Sequence, residues 1–155
     1  MYKQIQDIKK RKLDTCRQAV KSCQHNLHLA NIKLEESKKA LEDYKIWCKE
    51  EEKRRYAELI DQHVSSPELE QFNQSVALMY SKAAEYEQAI VNAEKEKSDT
   101  FKKLQAAEKE LGHAQKQVEK FDLLEEEHQK ILKEQAKVAE DQAMDEFLDS
   151  YRKRE

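Results

Sequence analysis

The residues closest to a metal-binding group are Cys23, His25 and His28, with Cys16 one heptad earlier. Cysteine and histidine are the ligands that zinc prefers, and a structural zinc site needs four of them converging on one point. On a helix, however, residues two positions apart point away from each other, so Cys23 and His25 cannot share a face. We therefore expect a core cysteine beside two solvated histidines, and no metal site.

Catalytic chemistry is equally hard to build from this sequence. Gly112 is the only glycine, so no phosphate-cradling loop, tight nucleophile turn or dinucleotide fingerprint is present. The remaining histidines, His63, His113 and His128, are isolated in the sequence. We predict a protein that is not an enzyme, with no catalytic residues and no cofactor.

The composition indicates helices. Of 155 residues, 39% are charged, 7% are aromatic, one is glycine and one is proline. Sheets and layered folds need turns, and turns need glycine and proline, so an all-α fold is expected. No apolar run is long enough to span a bilayer, and the first twelve residues lack the apolar stretch of a secretory signal. We expect a cytoplasmic protein without direct membrane insertion.

Charge gives no reason to expect a nucleic-acid partner. The 29 basic and 32 acidic residues are interleaved, and the formal net charge is −3. The basic run Lys9-Lys10-Arg11-Lys12 lacks interleaved aromatic residues. Residues 1–21 carry seven basic and two acidic side chains, whereas residues 122–149 carry three basic and ten acidic ones. We expect these two segments to neutralise each other rather than to bind nucleic acid or lipid.

Two long heptad patterns carry the fold prediction. Apolar residues recur at alternating steps of three and four on both sides of Pro67, which is typical of a coiled coil. The cysteines fall on the first of these seams, where cysteine behaves as a small hydrophobe, so reduced thiols are expected. The seams run through Leu13, Cys16, Val20, Cys23, Leu27, Ala30, Leu34, Ser37, Leu41, Tyr44 and Cys48, and through Leu69, Phe72, Val76, Met79, Ala83, Tyr86, Ile90, Ala93, Lys97, Thr100, Leu104, Ala107, Leu111, Ala114, Val118 and Phe121.

Pro67 sets the boundary between the two patterns. The residue before a proline is pushed out of helical geometry, whereas proline itself suits the first turn of a helix. Ser66 can cap that helix, and Ser65 with Glu68 offers an alternative capping box. We predict one hairpin over residues 1–155, with helix 1 at about 3–63, a turn at 64–67 and helix 2 at about 67–150.

A short turn makes the two helices antiparallel neighbours. The expected fold is a single long antiparallel two-helix coiled-coil hairpin, monomeric in solution, with a C-terminal helical overhang. Alternatively, each helix could pair with a second copy, which would make the chain a homodimeric scaffold or spacer. In the hairpin register, the facing residues include the pairs Leu13 with Val118, Leu41 with Ile90, and Cys48 with Ala83.

The overhang is the best candidate for a functional surface. After Phe121 the apolar positions continue at Leu124, Ile131 and Val138, a change of phase that usually marks a change of partner. Farther on, four apolar residues keep helical spacing with nothing opposite them in the chain, which favours a contact with another protein. They are Met144, Phe147, Leu148 and Tyr151.

The end of the sequence also resembles a known family. Met144-Asp145-Glu146-Phe147, followed by Tyr151 and the basic finish Arg152-Lys153-Arg154, is similar to the end of the central stalk proteins of type III secretion and flagellar export, the FliJ and YscO group. The injectisome branch is the closer one. The likeness in architecture, a small charged glycine-poor helical hairpin, covers nearly the whole chain.

The resemblance implies a bacterial cytoplasmic protein that is peripheral to the inner-membrane export apparatus. Its open end would enter the pore of a hexameric export ATPase and would carry no catalytic residues. Such a stalk also links the ATPase to the export gate membrane protein and can bind secretion chaperones. The implied ATPase-facing residues are Met144, Asp145, Glu146, Phe147, Leu148 and Tyr151.

Overall fold

The computed structural model describes residues 2–62 and 65–154, and 98% of these residues are helical. There are three helices, α1 (Tyr2–Asp61), α2 (Ser66–Ser81) and α3 (Ala83–Arg154). The residues described contain no β-strand. The all-α helical hairpin predicted from the composition and heptads is therefore confirmed. Of the predicted turn, His63 and Val64 lie outside the described residues.

The start of α2 follows from Pro67. Ser65 has extended backbone geometry (φ −76°, ψ 161°) and is the N-cap residue, and the proline lies in the first turn. The Ser65 carbonyl accepts hydrogen bonds from the amides of Glu68 and Leu69, both at 3.1 Å. The Ser65 side chain makes no capping bond, so the capping box is not formed. Proline geometry and backbone bonds therefore begin this helix.

The chain divides into two packing units. The first comprises Met1–Ala19 and Glu108–Glu155. Its core is formed by Leu13, Cys16 and Ala114, with Leu111 and Val118 packed against them. Farther out, the Lys9 ammonium lies 5.5 Å from the centre of the Phe121 ring. The order of these contacts shows α1 and α3 antiparallel in this unit, close to the predicted register.

The second unit is Val20–Ala107, and it is also antiparallel. Its contacts between helices include an ion pair of Lys33 with Glu96 at 2.9 Å and stacking of Tyr44 on Tyr86 at 4.6 Å. Its buried hydrophobic residues all belong to the predicted seams. They are Val20, Ala30, Leu34, Cys48, Met79, Ala93 and Leu104. Leu69, in contrast, was expected on the second seam but is exposed.

The predicted second helix is present as two helices, α2 and α3, with a break at Lys82. In an uninterrupted helix the Met79 carbonyl would accept a hydrogen bond from the Ala83 amide. Here it accepts the Tyr44 hydroxyl of α1 at 2.6 Å. Hydrogen bonding then continues at three-residue spacing, since the Glu85 amide donates to the Lys82 carbonyl at 3.0 Å. The break thus coincides with a bond from the neighbouring helix.

Candidate functional site

The last part of α3 is uncovered. His128 is the final partly buried residue, and its ring lies 5.1 Å from that of Tyr2. From Gln129 to Arg154, every side chain is exposed to solvent. We call residues 129–154 the C-terminal segment. It is a helix without an internal partner, as expected for the predicted overhang.

The C-terminal segment carries an apolar stripe, formed by Met144, Phe147, Leu148 and Tyr151. Their spacing of three, four and seven places them on one face of α3. All four are exposed, and Phe147 keeps 65% of its surface in solvent. The C-terminal stripe therefore has the form of a helical recognition surface, with two aromatic residues available as anchors. Asp145 and Glu146 lie within it along the chain and are exposed as well.

The C-terminal stripe lies on a different face of α3 from the internal seam. Continuing the seam from Phe121 in alternating steps leads through Glu125, His128, Leu132, Gln135, Ala139, Gln142, Glu146 and Asp149. These positions become mostly polar, and none of them belongs to the stripe. At about 100° per residue, the stripe is rotated by roughly 100° or more from the seam. Lengthening α1 would therefore not cover it.

A second apolar row, formed by Leu124, Ile131 and Val138, lies nearer the covered part of α3. The sequence suggested that the seam changes phase here. The structure shows instead that the seam keeps its phase, because the seam positions Glu125 and His128 are partly buried and Tyr2 packs on His128. The row is exposed beside the seam. The sequence did not reveal that the seam keeps its phase, because the last residues that contact α1 are polar or aromatic and break the apolar pattern.

An acidic file accompanies the second row. Each of its apolar residues is followed three positions later by an acid, namely Glu127, Glu134 and Asp141. These acids are neighbours of the row on the helix surface. A shallow groove runs along the row and is lined by Ile131, Glu134, Gln135, Val138, Ala139 and Gln142. Sequence spacing alone could have revealed this file.

Charge also changes along the C-terminal segment. The acidic residues end at Asp149, and the helix finishes with Arg152, Lys153 and Arg154 in its last turn. Basic side chains at this position favour the negative end of the helix dipole, so this charge has a structural reason as well. A partner that follows the helix would meet first acidic and then basic side chains.

The structure does not bring together the other candidate functional residues that the sequence suggested. Among the residues described, no three His, Cys, Asp or Glu side chains gather into a possible metal site. Cys16 and Cys48 are buried free thiols, and Cys23 is a partly buried one. Trp47 stacks on Tyr44 at 5.6 Å and remains partly exposed. Within the described ranges, no helix is apolar over a length that could cross a membrane.

The strongest electrostatic cluster lies in the second unit, away from the C-terminal segment. Glu51 accepts hydrogen bonds from the guanidinium groups of Arg54 at 2.9 Å and Arg55 at 3.0 Å. The Arg54 bond is the largest cause that lowers the pKa of Glu51 to about 2. Nearby, the hydrogen bond from the Tyr80 hydroxyl to Glu52 raises the pKa of Tyr80 to about 12. These groups join α1 to α2 and serve packing.

The comparisons with known proteins agree with this architecture. The family model of Type III secretion protein YscO matches residues 2–150. The crystal structure of Type III secretion protein YscO from Vibrio parahaemolyticus is similar to this chain, with a TM-score of 0.85 and 27% sequence identity. The similarity covers 95% of this chain and 92% of that one. No curated protein sequence matches significantly. The chain belongs to the YscO family of type III secretion proteins.

Proposed function

We propose that the chain is a non-enzymatic central stalk of a bacterial type III secretion system. Its C-terminal segment inserts into the pore of the hexameric export ATPase, and the rest of the hairpin links that ATPase to the export gate in the inner membrane. The protein acts in the cytoplasm as a monomer and also binds secretion chaperones. Membership of the YscO family supports the secretion role, and the ATPase contact is argued from the C-terminal segment.

One observation carries the proposed contact: the C-terminal stripe is apolar, uncovered and turned away from the internal seam. Exposing Met144, Phe147, Leu148 and Tyr151 to water is unfavourable, so a helix that keeps them on one face gains by burying them elsewhere. Because the stripe is rotated away from the seam, an extension of α1 along the seam would not cover it. This supports a surface on another protein as the occupant.

The dimensions of the C-terminal segment suit a narrow pore. A single helix with its side chains is about 10–12 Å wide, and residues 129–154 extend for roughly 39 Å. Over that length the segment presents Glu134 and Asp141 of the acidic file, then the C-terminal stripe, then the basic finish. A pore that meets it with basic groups, an apolar sleeve and acidic groups in that order would be complementary in charge and polarity.

The test is the double variant Phe147→Ala/Tyr151→Ala, assayed for binding to the cognate export ATPase hexamer by calorimetry. Removing two exposed aromatic anchors should weaken binding by about 30- to 700-fold, since each anchor contributes on the order of 1–2 kcal/mol. The helical content should stay unchanged, because both side chains lie outside the internal packing.

The matched control is Ile60→Ala/Leu78→Ala. Both residues are 64% exposed, close to the exposure of Phe147, but they lie in α1 and α2 of the other packing unit. This variant should bind the ATPase as the unaltered protein does. Equal binding by all three proteins would remove the proposed contact, and equal loss in both variants would indicate non-specific apolar association.

The alternative function is a homodimeric coiled-coil scaffold, and the exposed row of Leu124, Ile131 and Val138 favours it. A second copy could cover this row. Light scattering separates the two proposals, because the scaffold predicts a particle of about 37 kDa, twice the 18.4 kDa chain. A particle of the single-chain mass at micromolar concentration would remove the scaffold.

A further inference from the structure

Tyr44 occupies an unusual position between α2 and α3. Its hydroxyl donates a hydrogen bond to the Met79 carbonyl at 2.6 Å, in the last turn of α2. Its ring stacks on Tyr86, in the first turn of α3, with 4.6 Å between ring centres and 21° between planes. One side chain of α1 therefore contacts both helices, on either side of the break at Lys82.

The surroundings fix the Tyr44 ring in this position. The Trp47 ring, also on α1, stacks on the Tyr44 ring at 5.6 Å with 24° between the planes. Cys48, only 1% exposed, places its Sγ 3.9 Å from the same Met79 carbonyl. Met79 itself is buried. A carbonyl oxygen of a buried residue such as Met79 needs a hydrogen-bond partner, and the Tyr44 hydroxyl supplies one.

The bond from Tyr44 competes with the helix. A side chain that inserts into the i to i−4 ladder draws a carbonyl away from the helix axis and is a recognised cause of breaks and kinks. Lys82 has a φ of −63° and a ψ of −20°, which is allowed in a 3₁₀ turn and accommodates the change in spacing. No glycine or proline is present between Pro67 and Gly112, so residue type alone does not explain the break.

We propose that Tyr44 is a positioning residue that interrupts the helix between α2 and α3 by taking the Met79 carbonyl from the Ala83 amide. It makes α2 a separate segment, anchored to α1 by its own contacts. The hydroxyl remains a donor over a wide pH range, because its pKa is raised. Burial is the largest cause of this shift in the pKa of Tyr44, and the hydrogen bond with Cys48 is the second. The proposal concerns the chain by itself and is independent of the ATPase contact.

The experiment is Tyr44→Phe, which keeps the aromatic stacking and removes only the hydroxyl. Scalar coupling across hydrogen bonds, measured by NMR on the full chain, should show a new bond from the Ala83 amide to the Met79 carbonyl. Hydrogen exchange of the Ala83 amide should slow by about tenfold or more, because that amide gains an acceptor. An Ala83 to Met79 coupling already present in the unaltered protein would overturn the proposal.

Two control variants distinguish Tyr44 from other residues that could cause the helix break. Tyr80→Phe removes another hydroxyl bond between α1 and α2, the one to Glu52, without touching the helix ladder. Ser81→Ala removes a hydroxyl that donates to the Leu78 carbonyl at 2.7 Å, which could itself bend the helix. Both variants should keep the break. If Ser81→Ala joins the helices and Tyr44→Phe does not, the serine is the cause and the proposal is wrong.

The unaltered protein offers a further check that needs no variant. A tyrosine hydroxyl held in a 2.6 Å hydrogen bond exchanges its proton more slowly than a solvated one, so the Tyr44 hydroxyl proton should be visible by NMR. Rapid exchange of that proton, at the rate of a solvated tyrosine, would show that the bond is not maintained in solution and would overturn the proposal even if Tyr44→Phe failed to fold.

Discussion

At the scale of single residues, the most specific side-chain chemistry holds α1 and α2 together. Glu51, Arg54 and Arg55 form one hydrogen-bonded group on α1, and Arg55 also approaches the Ser75 hydroxyl of α2 at 3.5 Å. Glu51 is the shared acceptor, and its side chain is 13% exposed. Isolated surface ion pairs contribute little to stability, but a carboxylate that accepts hydrogen bonds from two guanidinium groups contributes more.

Glu51 should make the stability of the protein depend on pH in the acidic range. Its pKa is about 2 in the folded chain, below the usual value near 4.5, so its contribution is complete above about pH 4.5 and is lost as pH falls towards 2. Glu51→Gln should therefore lower the melting temperature at pH 7. Near pH 2 the variant and the unaltered protein should melt at the same temperature. Thermal melts followed by circular dichroism measure the difference.

The matched variant is Glu35→Gln. Glu35 pairs with Lys38 at 3.7 Å, and both side chains are at least half exposed. Such a pair is worth little, so this substitution should change the melting temperature slightly and equally at both pH values. A Glu51→Gln deficit that stays constant from pH 7 to pH 2 would refute the role assigned to that carboxylate.

At the scale of the elements, heptad spacing predicted the core and missed the break. Every buried hydrophobic residue of the described chain lies on a predicted seam, because burial along two paired helices follows the spacing of three and four. The break at Lys82 could not be read in the same way. It depends on the Tyr44 hydroxyl, which belongs to another helix, and the helix propensity of the residues around Lys82 does not indicate a break.

The seam prediction can be tested with two leucines of α1. Leu34 is 5% exposed and lies on the seam, whereas Leu29 is 50% exposed and lies off it. Leu34→Ala should lower the free energy of unfolding by about 2–4 kcal/mol through lost burial and the cavity left behind. Leu29→Ala should cost less than about 1 kcal/mol. Denaturant titrations that gave equal losses would show that the seam does not carry the stability.

At the scale of the whole molecule, the internal packing and the proposed contact surface lie in different parts of the chain. The contacts of Tyr2, Gln6 and Lys9 with α3 reach no farther than His128. Beyond that residue the C-terminal segment buries nothing, yet it holds the C-terminal stripe and two of the three acids of the acidic file, Glu134 and Asp141. The family match extends to residue 150 and so includes most of this segment. A segment that adds no packing fits a role in contacts outside the chain.

Deleting residues 134–155 should separate the two properties. The melting temperature should change by less than about 3 °C, since the removed residues make no tertiary packing and 1 kcal/mol corresponds to roughly 2–4 °C in a chain of this size. Binding to the export ATPase should fall below detection, because the C-terminal stripe is gone. Circular dichroism melts and calorimetry on the same preparation measure both. A large drop in melting temperature would mean that the C-terminal segment belongs to the cooperative fold, and loss of binding would then no longer identify it as a contact surface.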